Sequence, residues 1–210
     1  MPALDLTPDD IVDVARDLIA AEGLDRFSMR RLAAALDVNP MTIYLRFENK
    51  GALLDAVAAA SLAEFEAPVG TGTWSEQVLE LASGLRRHLI ADRDTLRLVG
   101  DGDRLSAGLL GTLDRGLELM AEVYPAPADA VDAFRVLFWH VVGSAFVADA
   151  LETMPGSRGG LDTALADAGD AYPHLVAHAA HFGPVDGDEL FLRTTTELIA
   201  GLQAGRETTT

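Results

Sequence analysis

The 210-residue chain has no cysteine, one lysine and only 6% aromatic residues. Without thiols there is no disulfide, no thiolate-held metal and no cysteine nucleophile, and a reducing compartment suits the chain. No convincing alternation of apolar and polar residues marks a β-strand. The longest apolar run, residues 136–148, contains His140 and stops short of the roughly 18 residues a membrane-spanning helix needs. The opening MPALDLTPDD is acidic and has no apolar core, so no secretory signal is expected there. Enzyme signatures are missing as well. There is no glycine-rich phosphate loop ending in Lys-Ser/Thr, no Gly-x-Ser-x-Gly elbow and no His-Glu-x-x-His, and the carboxylates form no evident pair. The expectation is a cytoplasmic protein with no membrane partner, no catalytic residues and no cofactor.

What the chain does have is acid, unevenly placed. It carries 33 acidic against 16 basic side chains, a net charge of −17. Between residues 26 and 50, however, five cations (Arg26, Arg30, Arg31, Arg46 and Lys50) face two anions, Asp37 and Glu48. Phosphate binding depends on cations at the contact, so this local excess matters more than the total. Residues 67–210 hold 10 basic and 21 acidic side chains, which puts most of the negative charge elsewhere.

Helical signals run throughout. Thr7 followed by Pro8, Asp9 and Asp10 is a helix start, and Ile11, Val14, Ala15, Leu18 and Ile19 fall on one face before Gly23 stops it. Ser28 caps a second helix that buries Leu32, Ala33 and Leu36. Asp37-Val38-Asn39 forms a turn in which Asp37 takes the left-handed backbone usually given to glycine. Pro40 opens a third helix that residues 47–49 end, and Ile43 fills the seam against the second. A longer helix spans 49–66, and residues 68–72 break the pattern. Further helices are expected at 74–92, 94–101, 106–123, 127–152, 173–182 and 187–204. The fold expected is all-α: a three-helix, helix-turn-helix domain over 1–48, a connecting helix over 49–66, and a helical domain over 67–210. The spacing of Ala33, Asp37 and Ile43 fits a helix-turn-helix and equally an ordinary helical hairpin.

The segment TIYLRFENKGALLDAV, residues 42–57, resembles the N-terminal domain of the tetracycline-repressor (TetR) family, and the resemblance extends over residues 7–66. Stretches 74–94, 134–152 and 188–202 are similar to the ligand-binding domain of that family's tetracycline-repressor branch. The resemblance implies a homodimeric repressor that holds double-stranded operator DNA and is released by a small-molecule effector. It places Arg30 at a base edge, Tyr44 on the DNA backbone and Lys50 on a phosphate. Chemistry adds the opening of the third helix: Asn39, Pro40, Met41 and Thr42 enter the major groove first, Thr42 suits a phosphate, and Pro40 and Met41 suit a thymine methyl. Arg46 reaches base or phosphate, Arg31 is a solvated or phosphate-facing charge, and Ser28 completes the DNA-contact set. Tyr44 has an alternative role, packing against Phe47 and the first helix.

For the effector, the resemblance puts a pocket between helix 49–66 and the helices of 74–152. Its candidate lining is Phe65, His88, Leu117, Met120, Phe134, Phe138 and Val141, mostly apolar as small-molecule sites tend to be. Where the tetracycline repressor offers a histidine to a metal, this chain reads Leu98-Val99-Gly100, so an apolar or aromatic effector is expected. Helices 127–152 and 187–204 would pair with their copies through Gly143, Ser144, Ala145 and Ala148 and through Leu190, Leu198, Ile199 and Leu202. The alternative is that this last stripe is buried within one subunit. His174, His178 and His181 share a helical face, which is either a metal or acid-sensing site or a polar face or lid; the polar reading is preferred and no metal is assigned. Asp101 and Asp103 read as a turn.

Overall fold

A computed structural model describes residues 6–100, 110–153, 171–178 and 187–207. The described residues form α-helices and one short 3₁₀ turn, with no strand among them. Helix α1 (Pro8–Glu22) begins in a capping box: Thr7 Oγ1 accepts the Asp10 N–H at 3.1 Å and Asp10 Oδ2 accepts the Thr7 N–H at 2.9 Å. It ends at Gly23, whose φ of 84° is open to a residue without Cβ. After the 3₁₀ turn Leu24–Arg26 come α2 (Met29–Ala35), α3 (Pro40–Tyr44) and α4 (Lys50–Ala63). Then follow α5 (Trp74–Ala91), α6 (Arg93–Gly100), α7 (Leu110–Ala121), α8 (Pro127–Thr153), α9 (Pro173–His178) and α10 (Gly187–Glu207). Helix α5 repeats the capping box with Thr73 and Glu76. The first residues of the helix expected at 106–123, the end of that expected at 173–182, Asp101, Asp103 and His181 lie outside the described residues.

Two apolar clusters hold these helices. The first joins Ile11, Ala15 and Ile19 of α1 to Leu32 and Ala33 of α2, Ile43 of α3, and Leu53 and Val57 of α4. The second joins Leu62 of α4 to Leu81, Leu85 and Leu89 of α5, Leu119 and Met120 of α7, Leu137 and Val141 of α8, and Phe191 and Ile199 of α10. Two helices feed both clusters. Helix α4 gives Leu53 and Val57 to the first and Leu62 to the second, while α6 gives Leu98 to the first and Leu96 to the second.

Helix α8 is long and apolar enough, by length and composition alone, to match a membrane span. The reason is that its outward face is apolar too: Val136, Trp139 and Val147 are exposed, Trp139 by 67%. On α10 the faces divide differently from expectation. Ile199 is buried and Leu198 and Leu202 pack on the second cluster, so this stripe belongs to the subunit's own core. Leu190, the fourth residue of the expected stripe, does face outward, and so does Leu192. Ala145, expected on the outer surface of α8, is fully buried, whereas Gly143 is exposed.

Candidate DNA-binding face and effector site

The turn between α2 and α3 sets the geometry of the first site. Asp37 has a φ of 54°, the left-handed value its position requires, and is the one non-glycine residue with positive φ among the described residues. The Val38 N–H then reaches back to the Ala33 carbonyl at 3.0 Å. Buried Ala33 and fully buried Ile43 bring the two helices together and leave the opposite side of α3 in solvent.

On that side the ten sequence-derived residues separate into two groups. Pro40, Met41 and Tyr44 are exposed and Thr42 is half-buried. Arg30 and Arg46 are exposed and have no ion-pair partner among the described residues. The other four make bonds within the chain. Ser28 Oγ accepts the Arg31 N–H at 3.3 Å, and Asn39 Oδ1 accepts the Met41 N–H at 2.9 Å. Arg31 pairs with the half-buried Glu22 at 2.6 Å. Lys50 donates Nζ to the Phe27 carbonyl at 2.8 Å and lies 5.4 Å from the centre of its ring, tying the head of α4 to the entrance of α2. Leu45, 80% exposed, was absent from the sequence-derived set. Its signal was available: it stands one turn after Met41 on the same side.

Of the seven pocket candidates, Phe65, Met120, Phe134, Phe138 and Val141 lie in or against the second cluster, and His88 meets it through Phe65. At the junction of α4 and α5, Phe65 and His88 meet with ring centres 5.6 Å apart, and His88 Nε2 is 2.9 Å from the Ser61 carbonyl oxygen. Between α7 and α8, Phe134 and Phe138 stack at 5.7 Å, Met120 and Val141 are buried, and Leu117 is half-buried. Gly116 lets Phe134 lie directly on α7, in the space a Cβ would take. A cleft of about 740 Å³ opens elsewhere, between α1, α4 and α6, walled by Asp13, Arg16, Asp17, Asp92, Arg93 and Asp94. Its charged walls distinguish it from the apolar pocket expected.

A polar group inside the second cluster escaped the sequence reading. Arg86 of α5 is 4% exposed, ion-paired with Asp188 at 2.5 Å and laid over the Phe191 ring at 4.7 Å. Phe191 in turn stacks on His140, with centres 5.4 Å apart and planes 6° from parallel. His140 Nε2 is 3.0 Å from Thr195 Oγ1. Burial pushes the His140 imidazole below its ordinary value, and the Arg86 charge adds to this, so the ring is held neutral. The visible hint was a histidine inside an apolar helix. On α9, His174 and His178 are both exposed, and His178 Nδ1 lies 2.8 Å from the His174 carbonyl oxygen.

Helix α6 ties the two clusters by polar contacts as well. Arg97 pairs with Asp25 of the 3₁₀ turn at 2.8 Å. The Asp94 carboxylate accepts the Leu24 N–H, yet burial raises its proton affinity on balance. Arg16 of α1 pairs with Glu64 at the end of α4 at 2.6 Å.

Comparison with known proteins gives this geometry its family. Residues 11–57 match the model for bacterial regulatory proteins of the tetR family, and residues 68–206 match the tetracyclin repressor-like C-terminal domain. The chain belongs to the tetR family. It is accordingly a ligand-responsive, DNA-binding transcriptional regulator that acts as a homodimer on operator DNA. Among its tetR-family relatives, the tetracycline repressor protein class A from transposon 1721 of Escherichia coli is 34% identical over 158 residues, which is 74% of this chain and 73% of that one. Apo ActR from Streptomyces coelicolor superimposes with a TM-score of 0.84 at 31% identity, covering 98% of each chain. ActR in complex with actinorhodin does so with a TM-score of 0.84 at 31% identity, over 96% of this chain and 98% of that one. The apolar outward faces of α8 and α10, which pack side by side, are suited to burial against a second copy.

Proposed function

We propose that this regulator is a cytoplasmic repressor whose effector is a small, mostly apolar molecule, with residues 1–48 reading DNA, 49–66 connecting and 67–210 sensing and dimerising. Arg30, Arg46, Thr42, Tyr44, Pro40 and Met41 form its direct DNA contacts, and Lys50 adds a phosphate contact with the donors that Phe27 leaves free. Ser28, Asn39 and Arg31 act through the helix ends and the ion pair they hold. The effector lies among Phe65, His88, Leu117, Met120, Phe134, Phe138 and Val141, with His88 as the polar group of that lining. Leu98 and Val99 carry no metal donor: one is buried in the first cluster, the other packs on the second. That donor set favours an effector that comes without a metal ion.

The observation that carries the response is that α4 and α6 each contribute to both apolar clusters. An effector that wedges apart the second cluster must move Leu62 or Leu96, and with them the helices that anchor α1–α3. The unliganded dimer keeps two copies of α3 one helical turn of DNA apart, about 34 Å, and the liganded one does not. The effector shifts this balance only by preferring the DNA-incompetent arrangement. To test it, affinity for the DNA upstream of the chain's own gene is measured against salt for the wild type, Arg30→Ala and Lys50→Ala. Both variants weaken binding and lower the salt slope if the contact face is correct; unchanged affinity in both refutes it. Thermal-shift screening of compounds handled by neighbouring genes then identifies the effector.

A further inference from the structure

The DNA-reading end of α3 is unusually poor in hydrogen-bonding groups, and from this we infer that the regulator selects its operator chiefly through thymine 5-methyl groups. The inference rests on the DNA-binding reading above and concerns how bases are told apart. Four side chains stand out from this short helix: Pro40, Met41, Tyr44 and Leu45. Met41 is 65% exposed and Leu45 80%, and neither has a donor or acceptor suited to a base edge. Residues 41, 44 and 45 are spaced three and four apart, so they lie on one side of a single turn. Leu45 keeps helical backbone angles, φ −70° and ψ −20°, which holds it on that side.

The two polar residues at the opening of α3, Asn39 and Thr42, are engaged or partly withdrawn. Asn39 commits its carbonyl oxygen to the Met41 N–H, which ties the side chain to the helix end and disfavours the paired donor and acceptor that an amide offers adenine. Thr42 is half-buried and Ile43 wholly so. Arg30 and Arg46 remain as flanking cations, matched to phosphates or to a guanine at the margin.

An exposed apolar tip ringed by arginines in a chain of net charge −17 needs a partner that is anionic around the contact and apolar at its centre. Duplex DNA meets that description in one way. Its major groove carries a single apolar substituent, the C5 methyl of thymine; cytosine has only hydrogen there. Removing that methyl alone, by replacing thymine with uracil, isolates the contact without altering pairing.

The experiment uses the full-length dimer. Duplexes are selected from a random pool, and the tightest is remade with uracil in place of thymine, one position at a time. Thymine is expected at fixed positions in each half-site, and uracil there should weaken binding about fourfold per contacted methyl, the effect of one buried carbon. Leu45→Ala and Met41→Ala should erase that penalty at their own positions, whereas Arg46→Ala weakens all duplexes and leaves the penalty intact. All three residues are exposed, and circular dichroism checks that each variant keeps its helices. Selected duplexes that bind equally well with uracil throughout overturn the inference while leaving DNA binding in place. A pool from which no duplex is retained overturns the DNA-binding reading itself, and the apolar tip would then serve a protein partner.

Discussion

Asp37 holds a backbone angle that costs a residue with a Cβ roughly 1 kcal/mol. Asp37→Gly should therefore leave stability unchanged or raise it by up to about 1 kcal/mol, part of the gain being lost to the freer unfolded chain. It should also tighten DNA binding by removing an anion from the reading face, which a melt and a salt titration would show. Gly116→Ala runs the other way. A methyl group there meets the Phe134 ring, which is fixed by its stack on Phe138, so a loss of about 1–3 kcal/mol is expected in a denaturant melt. His140 gives a pH dependence whose sign can be worked out. Its folded-state proton affinity is lowered from the ordinary 6.5, so the unfolded chain binds more protons in the window just below that value. Stability thus rises with pH through the window and is lost as acid charges the ring. His140→Gln should flatten the drop in melting temperature between pH ~7.5 and ~5.5 relative to the wild type.

At the scale of elements, capping and turn chemistry were plain in the sequence, because Thr7, Ser28, Asp37 and Asn49 act on backbone within a few residues of themselves. The Asn39 cap was less plain: its amide is as well placed to face a base as to cap α3, and it is the folded turn that shows its oxygen on the Met41 N–H. Helix faces were legible where one side alone is apolar, as in α1. On α8 both sides are apolar, so periodicity could not say which side meets the subunit's own core. On α10 three of the four residues expected outward, Leu198, Ile199 and Leu202, lie in or against the core, and only Leu190 of the four is exposed. The Arg86, Phe191 and His140 stack joins α5, α8 and α10 across more than 50 residues, and no local pattern predicts such a meeting. Leu98 of α6 sits 2% exposed in the first cluster, while Leu96 of the same helix belongs to the second. Leu98→Ala should cost about 2–5 kcal/mol, and it should weaken effector release of DNA more than DNA binding itself. A variant that melts early yet responds fully to effector would show that α6 does not carry the signal.

For the molecule as a whole, two features pull against each other. The net charge of −17 repels DNA at long range, while one small cationic face attracts it, so binding should fall steeply as salt rises. Association of two copies is what makes the small face sufficient, since it doubles the contacts. Trp139 stands near the centre of the apolar outward side of α8. Trp139→Arg should yield a folded monomer by sedimentation, with operator affinity reduced at least a hundredfold because each half-site is then held alone. A variant that stays dimeric would move the interface away from α8.

Lys50 supplies the only ε-amino group in the sequence, and it sits bonded to Phe27 at the doorway between the reading helices and the helix that moves them. An amine-directed fluorophore therefore has one side-chain address on the entire polypeptide. Because acylation there removes the charge and the donors that grip a phosphate, it is the rate of labelling that would report, without engineered cysteines, when the operator covers the amine and when it is released.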